Sequence, residues 1–363
     1  MNRAARIACV VLSVATAMPL AAQQGCTTPA SIRARMSVAA PDASAFEDLG
    51  IALAAEKQYA CAAMAFADSL RLKPDSANVL FMLGTSLVFS GHIQEAVGPL
   101  QASEAIEGRN LKLHLVLASV FDQLHRGAEA KAEWRAAADT DPLSPEAVDG
   151  LAQELVLEQE YQAAIDLLND RTSARQRTEV QSLNLGIAYA ALGKTALAVD
   201  AFRDGLNTTP DSLTIAAELA DLLAQAGRVD EADAVFVLTL ERHPGDVDVE
   251  LHRFRTLLAA DPARAKAAGE ELLRRAPRNW EVLYLNGVLE TEEGDLAQAR
   301  SHLEASIAIN ESVPLAHSLL GVVLGRMRDY AGAKQQFERA IALGDTSQEV
   351  HKNLEGVTRA MQP

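Results

Sequence analysis

The sequence runs to 363 residues, 49% of them hydrophobic and 23% charged, with a formal net charge of −16. That apolar share excludes a disordered chain, and the acidity, unrelieved by any basic stripe, argues against phosphate backbones and anionic lipid surfaces as partners. Aromatic residues make up only 4%, so the apolar content is aliphatic and rich in Ala, the residue that costs least in a helix and lets helices approach closely.

Residues 1–22 read as a secretory signal. Arg3 and Arg6 form a basic start, residues 7–17 are an uncharged apolar run, and Pro19 breaks that run ahead of small residues. The run is shorter than the roughly 20 residues of a bilayer span, so cleavage is expected, either after Ala22 or at the alternative Ala15-Thr16-Ala17 site. Gly25-Cys26 resembles the end of a lipoprotein box, but Gln23 and Gln24 precede it where an aliphatic residue belongs. A periplasmic or secreted protein is therefore expected ahead of an outer-membrane lipoprotein held through Cys26. No later apolar stretch is long enough to span a bilayer, so no direct membrane insertion is expected after cleavage. Residues 23–42 form a lead-in segment. Cys26 and Cys61 either bridge, stapling the lead-in onto the first repeat, or remain two unpaired thiols; the sequence leaves both open.

From residue 43 onward the chain repeats itself. Leu49-Gly50, Leu83-Gly84, Leu117-Ala118, Leu151-Ala152, Leu185-Gly186 and Leu219-Ala220 follow one another at intervals of 34 residues, and Asn286-Gly287 and Leu320-Gly321 keep the same interval. A second track of Ala at 62, 96, 130, 164, 198, 232, 299 and 333 has a large apolar residue four places later, from Phe66 and Leu100 to Phe337. Pro74, Pro142, Pro210 and Pro244 form a third, and Pro277 joins it if the seventh unit is one residue short. Each unit thus carries apolar residues at helical spacing, a short break, and a second helical stretch. Gly91, Gly193, Gly227 and Gly294 fall in the break, as a helix C-terminus prefers. The Leu-Gly pair and the later Ala mark the closest crossing of two helices, where a larger side chain would force them apart. The Phe or Leu four places on is expected to fill the gap to the next pair, and Pro to end the second helix.

This pattern resembles the tetratricopeptide repeat (TPR) family, and the resemblance covers residues 43 to about 347. The first unit matches it through Phe46, Leu49, Gly50, Ala62, Phe66 and Pro74, and the fifth through Leu185, Gly186, Tyr189, Ala198, Phe202 and Pro210. The usual early tryptophan is missing throughout. The resemblance implies an all-α, right-handed superhelical solenoid of about 19 helices in antiparallel pairs. Nine units are expected, starting near residues 43, 77, 111, 145, 179, 213, 247, 280 and 314, with residues 348–363 as a capping helix whose Lys352, Glu355 and Arg359 solvate the end of the stack. The seventh unit departs most: Phe254 stands where a small residue belongs, so a looser helix pair is expected there.

Residues capable of chemistry are scattered. Gly193-Lys194-Thr195 resembles the end of a phosphate loop, but the nearest upstream glycine, Gly186, is too far away and no strand precedes it. The eight histidines include no two at metal-ligand spacing on one helix face. No G-x-S-x-G elbow occurs. Glu292, Glu293 and Asp295 cluster at a turn, where solvated charge is the ordinary reading. The expectation is therefore no catalytic residue, no cofactor and no metal.

In the family that the chain resembles, first helices line a concave face that receives extended peptides or helices. The residues at the corresponding places are Asn78, Phe81, Thr85 and Phe89 in the second unit and Lys112, Leu115 and Ser119 in the third. Asp149, Gln153, Leu183, Ile187, Asp221, Arg255, Tyr284, Val288 and Arg326 continue the face. The lysine, asparagine and arginine set that grips C-terminal carboxylates in some relatives is absent. Phe81, Phe89 and Leu115 instead form an apolar patch, which marks an interaction site unless those side chains tuck into the core. The function expected is a non-catalytic scaffold that binds a protein or peptide partner in the cell envelope, within an envelope complex. The alternative is a self-associating structural component or assembly factor of a secretion, pilus or polysaccharide-export system.

Overall fold

The computed structural model describes residues 42–173 and 176–362. The expected signal segment, the lead-in up to residue 41, and Cys9 and Cys26 lie outside the described residues. The chain divides into two compact units, Met1–Leu192 and Gly193–Pro363. Every element among the described residues is an α-helix, and there are 19 of them.

The first unit contains α1 (Ala43–Ala55), α2 (Tyr59–Leu72), α3 (Ala77–Phe89), α4 (Ile93–Glu104), α5 (Leu111–Gln123), α6 (Gly127–Thr140), α7 (Pro145–Leu157), α8 (Tyr161–Arg171) and α9 (Glu179–Ala191). The second contains α10 (Thr195–Thr208), α11 (Leu213–Gln225), α12 (Val229–Arg242), α13 (Val247–Ala260), α14 (Pro262–Arg275), α15 (Trp280–Glu293), α16 (Leu296–Ile309), α17 (Pro314–Arg326), α18 (Tyr330–Ala342) and α19 (Gln348–Ala360). Within each unit every helix packs on the one before it. First helices of successive pairs also touch, as α3 does α5 and α7 does α9 in the first unit, and α11 does α13 in the second.

Local chemistry explains these boundaries. Asp42, Ser76, Asn110, Ser144, Thr178, Ser212, Asp246 and Asn279 each precede a first helix and accept a hydrogen bond from a backbone N–H in its first turn. Such a cap satisfies donors that the helix itself cannot. Val313 has no such acceptor, but Pro314 follows at the first helical position, where no N–H is required. The breaks inside the pairs turn through a left-handed residue. Gly91, Gly193, Gly227 and Gly294 adopt φ between 70° and 85°, and Lys57, His125, Gln159 and Arg328 adopt φ of 56° to 65° at the same register. The backbone thus imposes this conformation even where no glycine stands. The seventh pair lacks the left-handed residue. Asp261 ends α13 and caps α14 in one step, its side chain accepting from the Arg264 N–H.

The crossings are as close as the small residues imply. A Cβ added to Gly50 would lie 2.5 Å from the Phe66 ring, and one added to Gly321 would lie 2.7 Å from Phe337. These large residues sit over the glycine of their own pair, rather than only filling the gap to the next as expected. Trp134 does reach onward: its ring would lie 2.3 Å from a Cβ on Gly150 of the following pair. The seventh pair, expected to be looser, departs from the others by an exchange of large and small residues. Phe254 is fully buried, and its ring lies 2.8 Å from where Gly269, on the second helix, would carry a Cβ. Large and small partners have traded helices, so the notch is kept.

The last helix caps the stack. Val350 of α19 is buried, and Leu354 and Val357 pack on the cluster formed with Phe337 and Leu324. His351, Lys352, Glu355 and Arg359 are exposed. Cys61, within α2, is disulfide-bonded. No helix among the described residues is long and apolar enough to cross a membrane.

Candidate peptide groove

The residues singled out in the second and third units lie on α3 and α5, two first helices in contact. Asn78, Lys112 and Ser119 are exposed, and Phe81, Thr85 and Leu115 are half-buried. Phe89 is 67% exposed. It is the last residue of α3 and stacks on Tyr59, the first residue of α2, with ring centroids 5.0 Å apart. The patch therefore holds an aromatic pair at its turn edge, and Tyr59 is a member that the residue pattern alone does not suggest. Phe81 packs partly against the cluster of Leu80, Leu83 and Leu117.

The polar members divide by what holds them. The Asn78 amide reaches the Glu47 carboxylate at 3.5 Å. The Thr85 hydroxyl donates to the carbonyls of Phe81 and Met82, both at 3.0 Å, and Gln123 donates to Ser119 at 3.4 Å. Lys112 forms no ion pair among the described residues. Lys112 in the first turn of α5 and Phe89 at the end of α3 thus offer charge and apolar burial at different points of the two helices.

Further along the first unit, Asp149 accepts from the Thr178 hydroxyl at 3.1 Å and the Gln181 amide at 2.5 Å. Burial raises its carboxyl above the ordinary value of 3.8, against the opposing pull of the Gln181 and Thr178 hydrogen bonds. A carboxyl whose pKa rises on folding binds protons more tightly in the native state, so it costs stability when ionised. That cost is full above the raised value and is relieved as pH falls towards 3.8. Asp149→Asn should therefore melt at or above the wild-type temperature at neutral pH. Its advantage should shrink as pH falls through the acid range, whereas a pH-independent difference would assign the effect to the altered hydrogen bonds alone. Gln153 on this face is exposed, and Leu183 and Ile187 are half-buried.

In the second unit an open cavity of about 570 Å³ lies between α11 and α13, lined among others by Asp221, Gln225, His252, Arg255 and Thr256. Asp221 accepts from His252 Nε2 at 3.0 Å and from the Thr256 hydroxyl at 3.2 Å, while Arg255 faces Glu281 at 3.5 Å. Tyr284 and Val288 are half-buried, and exposed Arg326 donates to the Thr291 carbonyl at 2.9 Å. Most inner-face acids are thus spoken for by the next first helix. They fix the spacing of neighbouring pairs and are less available to a ligand than the α3–α5 surface.

A family model described as tetratricopeptide repeat matches residues 183–247 and 255–314, on helices whose pairing, capped starts and notched crossings are those described above. Over these residues the chain is built of tetratricopeptide repeats. No curated protein matched the sequence. Among solved structures, this repeat protein is similar to PilW, titled a widely conserved type IV pilus biogenesis factor, at 21% identity, with 57% of this chain and 96% of that one covered and a TM-score of 0.46. It is similar to PilF of Pseudomonas aeruginosa at 22% identity, over 57% and 94% of the two chains, with a TM-score of 0.43. A likeness to a chain of the APC/C hetero-tetramer Cut9-Hcn1 spans 88% and 70% at 14% identity, with a TM-score of 0.43.

Proposed function

We propose that this tetratricopeptide-repeat protein is a non-catalytic scaffold of the bacterial cell envelope that binds a partner polypeptide across α3 and α5. The observation that carries this reading is the exposed Phe89 ring at the end of α3, with Phe81 and Leu115 half-buried on touching first helices and Lys112 exposed at the start of α5. Exposed apolar groups mark interaction surfaces, and Lys112 can meet a backbone carbonyl or an acidic side chain elsewhere along a bound polypeptide. Nine repeats from residue 43 to 347 carry the surface.

Export is part of the proposal. It rests on the basic and apolar start of the sequence and on the disulfide at Cys61, a bond that persists in oxidising compartments. The partner of Cys61 is proposed to be Cys26. Self-association, the competing reading, is disfavoured by the charged outer side of α19, which opposes end-to-end growth; sedimentation of the purified protein separates the two.

The test is capture of the partner from envelope extract with the exported chain, whose N-terminus should be Gln23 or Met18. Phe89→Ala should then weaken the captured complex by about 30-fold, as for an aromatic hot spot of about 2 kcal/mol. Its stability cost should not exceed the worth of its stack on Tyr59, about 0.5–1.5 kcal/mol. Lost stability with unchanged affinity would remove Phe89 from the binding surface.

A further inference from the structure

Beneath the third repeat, three side chains from three consecutive helices converge. Glu104 is the last residue of α4, His114 lies in the first turn of α5, and Glu133 lies midway along α6. One ligand atom from each comes within 4.8 Å of the others. His114 is 97% withdrawn from solvent. The surroundings of its ring decide what it can do. Nε2 faces the carbonyl oxygen of Gly108 at 3.1 Å. A carbonyl can only accept, so Nε2 carries the hydrogen. Nδ1 then points its lone pair at Glu133 Oε2, 2.8 Å away, with Glu104 Oε1 at 4.0 Å. Ionised carboxylates also only accept. With the ring hydrogen on Nε2, Nδ1 and the two carboxylates converge as acceptors, an arrangement that a hydrogen on Nδ1 or a bound metal ion would satisfy.

The ninth repeat supplies an internal comparison. His317 holds the same place on α17, and its Nε2 donates to the Glu311 carbonyl at 3.1 Å, six residues back, as His114 does to Gly108. The residue 19 places on is Gln336, whose amide oxygen is placed 2.7 Å from Nδ1. Turned over, that amide would present an N–H to Nδ1, an option that a carboxylate lacks. The position matching Glu104 is Ile307, which is apolar. The histidine bonded to a turn carbonyl thus belongs to the scaffold, and both carboxylates are additions made only around His114.

We propose that Glu104, His114 and Glu133 bind a divalent transition-metal ion of the zinc class. An imidazole nitrogen with two carboxylate oxygens is a donor set that suits zinc and its neighbours. A metal-ligating histidine characteristically donates its other ring N–H to a backbone carbonyl or carboxylate, which is the role of Gly108 here. Ligand bonds of about 2.0–2.2 Å need only side-chain rotations of the two glutamates. The carboxylates are partly exposed, 33% for Glu104 and 13% for Glu133, so the ion keeps a route in and room for water as a further ligand. Bound there, it ties the end of α4, the start of α5 and the middle of α6 together across the turn before Asn110. It also steadies the helix that carries Lys112, Leu115 and Ser119.

No short motif marks this set, because metal motifs are recognised by close spacings on one element, and these ligands are 10 and 19 residues apart on three.

The experiment is calorimetric titration of the metal-stripped protein with zinc chloride, alongside thermal melts, for the wild type, Glu104→Gln and Glu133→Gln. One equivalent of zinc should bind with a rise in melting temperature and release of protons. Each variant should weaken that binding by at least about 100-fold, above the 10–100-fold typical of losing only a supporting contact. Cobalt should give a visible ligand-field spectrum in the wild type that both variants lose. Glu104→Gln, at the exposed edge of the cluster, keeps the test open if Glu133→Gln fails to fold. Zinc binding unchanged in the variants, or no saturable binding, would overturn the proposal.

Discussion

Phe254→Ala is expected to cost about 3–5 kcal/mol, the usual range for emptying a fully buried Phe site. The ring is fully buried among Leu251, Leu257, Leu272 and Leu285 and fills the notch opened by Gly269. Removing it leaves two small residues facing each other, with nothing nearby to collapse into the space. Chemical denaturation of the purified protein reads the loss. Hydrogen exchange should place it in α13, α14 and α15, because repeat neighbours couple mainly to each other. The exchange of large and small residues also makes a sharper expectation. Phe254→Gly combined with Gly269→Phe should be more stable than either single change, since it restores the arrangement seen at Gly50 and Phe66. A double variant as unstable as the sum of the two would show that the seventh pair is not a mirrored version of its neighbours.

Gly84→Leu carries the second large effect, by the opposite route. Its Cβ would lie 2.4 Å from Leu100 Cγ and 2.6 Å from Leu100 Cδ2, and Leu100 is fully buried. Neither helix has room to yield without separating α3 from α4. Overpacking of this kind costs about 1–3 kcal/mol. Adding Leu100→Ala should recover part of the loss by vacating the space, which lost helix propensity alone would not allow, since Leu is a better helix former than Gly. If Gly84→Leu leaves the unfolding curve where it was, the closest approach of the pair lies elsewhere.

The candidate surface was read from repeat position, and the two helices that carry it, α3 and α5, lie in contact. Whether a given side chain faces solvent or core was not legible, because Phe81 and Phe89 have the same chemistry and differ only in what the next helix covers. Phe81 is half-buried on the Leu80 cluster and Phe89 is exposed against Tyr59. The capping residues are the reverse case. Asp42, Ser76, Asn110 and Ser144 stand at one repeat spacing in plain sight, yet Asp, Ser and Asn share no apolar signature, so a search for conserved character within the repeat passes over them. Their common property, a short side-chain acceptor at a helix start, is a property of position.

By itself the sequence determined the helical class, the pairing of consecutive helices and the close crossings. These depend on periodicity and residue size, which are carried by the chain at short range: a 34-residue interval, apolar residues at helical spacing, and a residue without a side chain where helices cross. The tertiary structure alone decided how long-range complementarity is met. It placed Gly269 opposite Phe254, so that an apparent defect in the seventh repeat became a swapped fit, and it set left-handed turns on Lys57, His125, Gln159 and Arg328. It also gathered Glu104, His114 and Glu133 from three helices onto one point. In each case the partner is chosen by packing across a helix pair, an energy that depends on which atoms meet in space and that leaves no short-range mark along the chain.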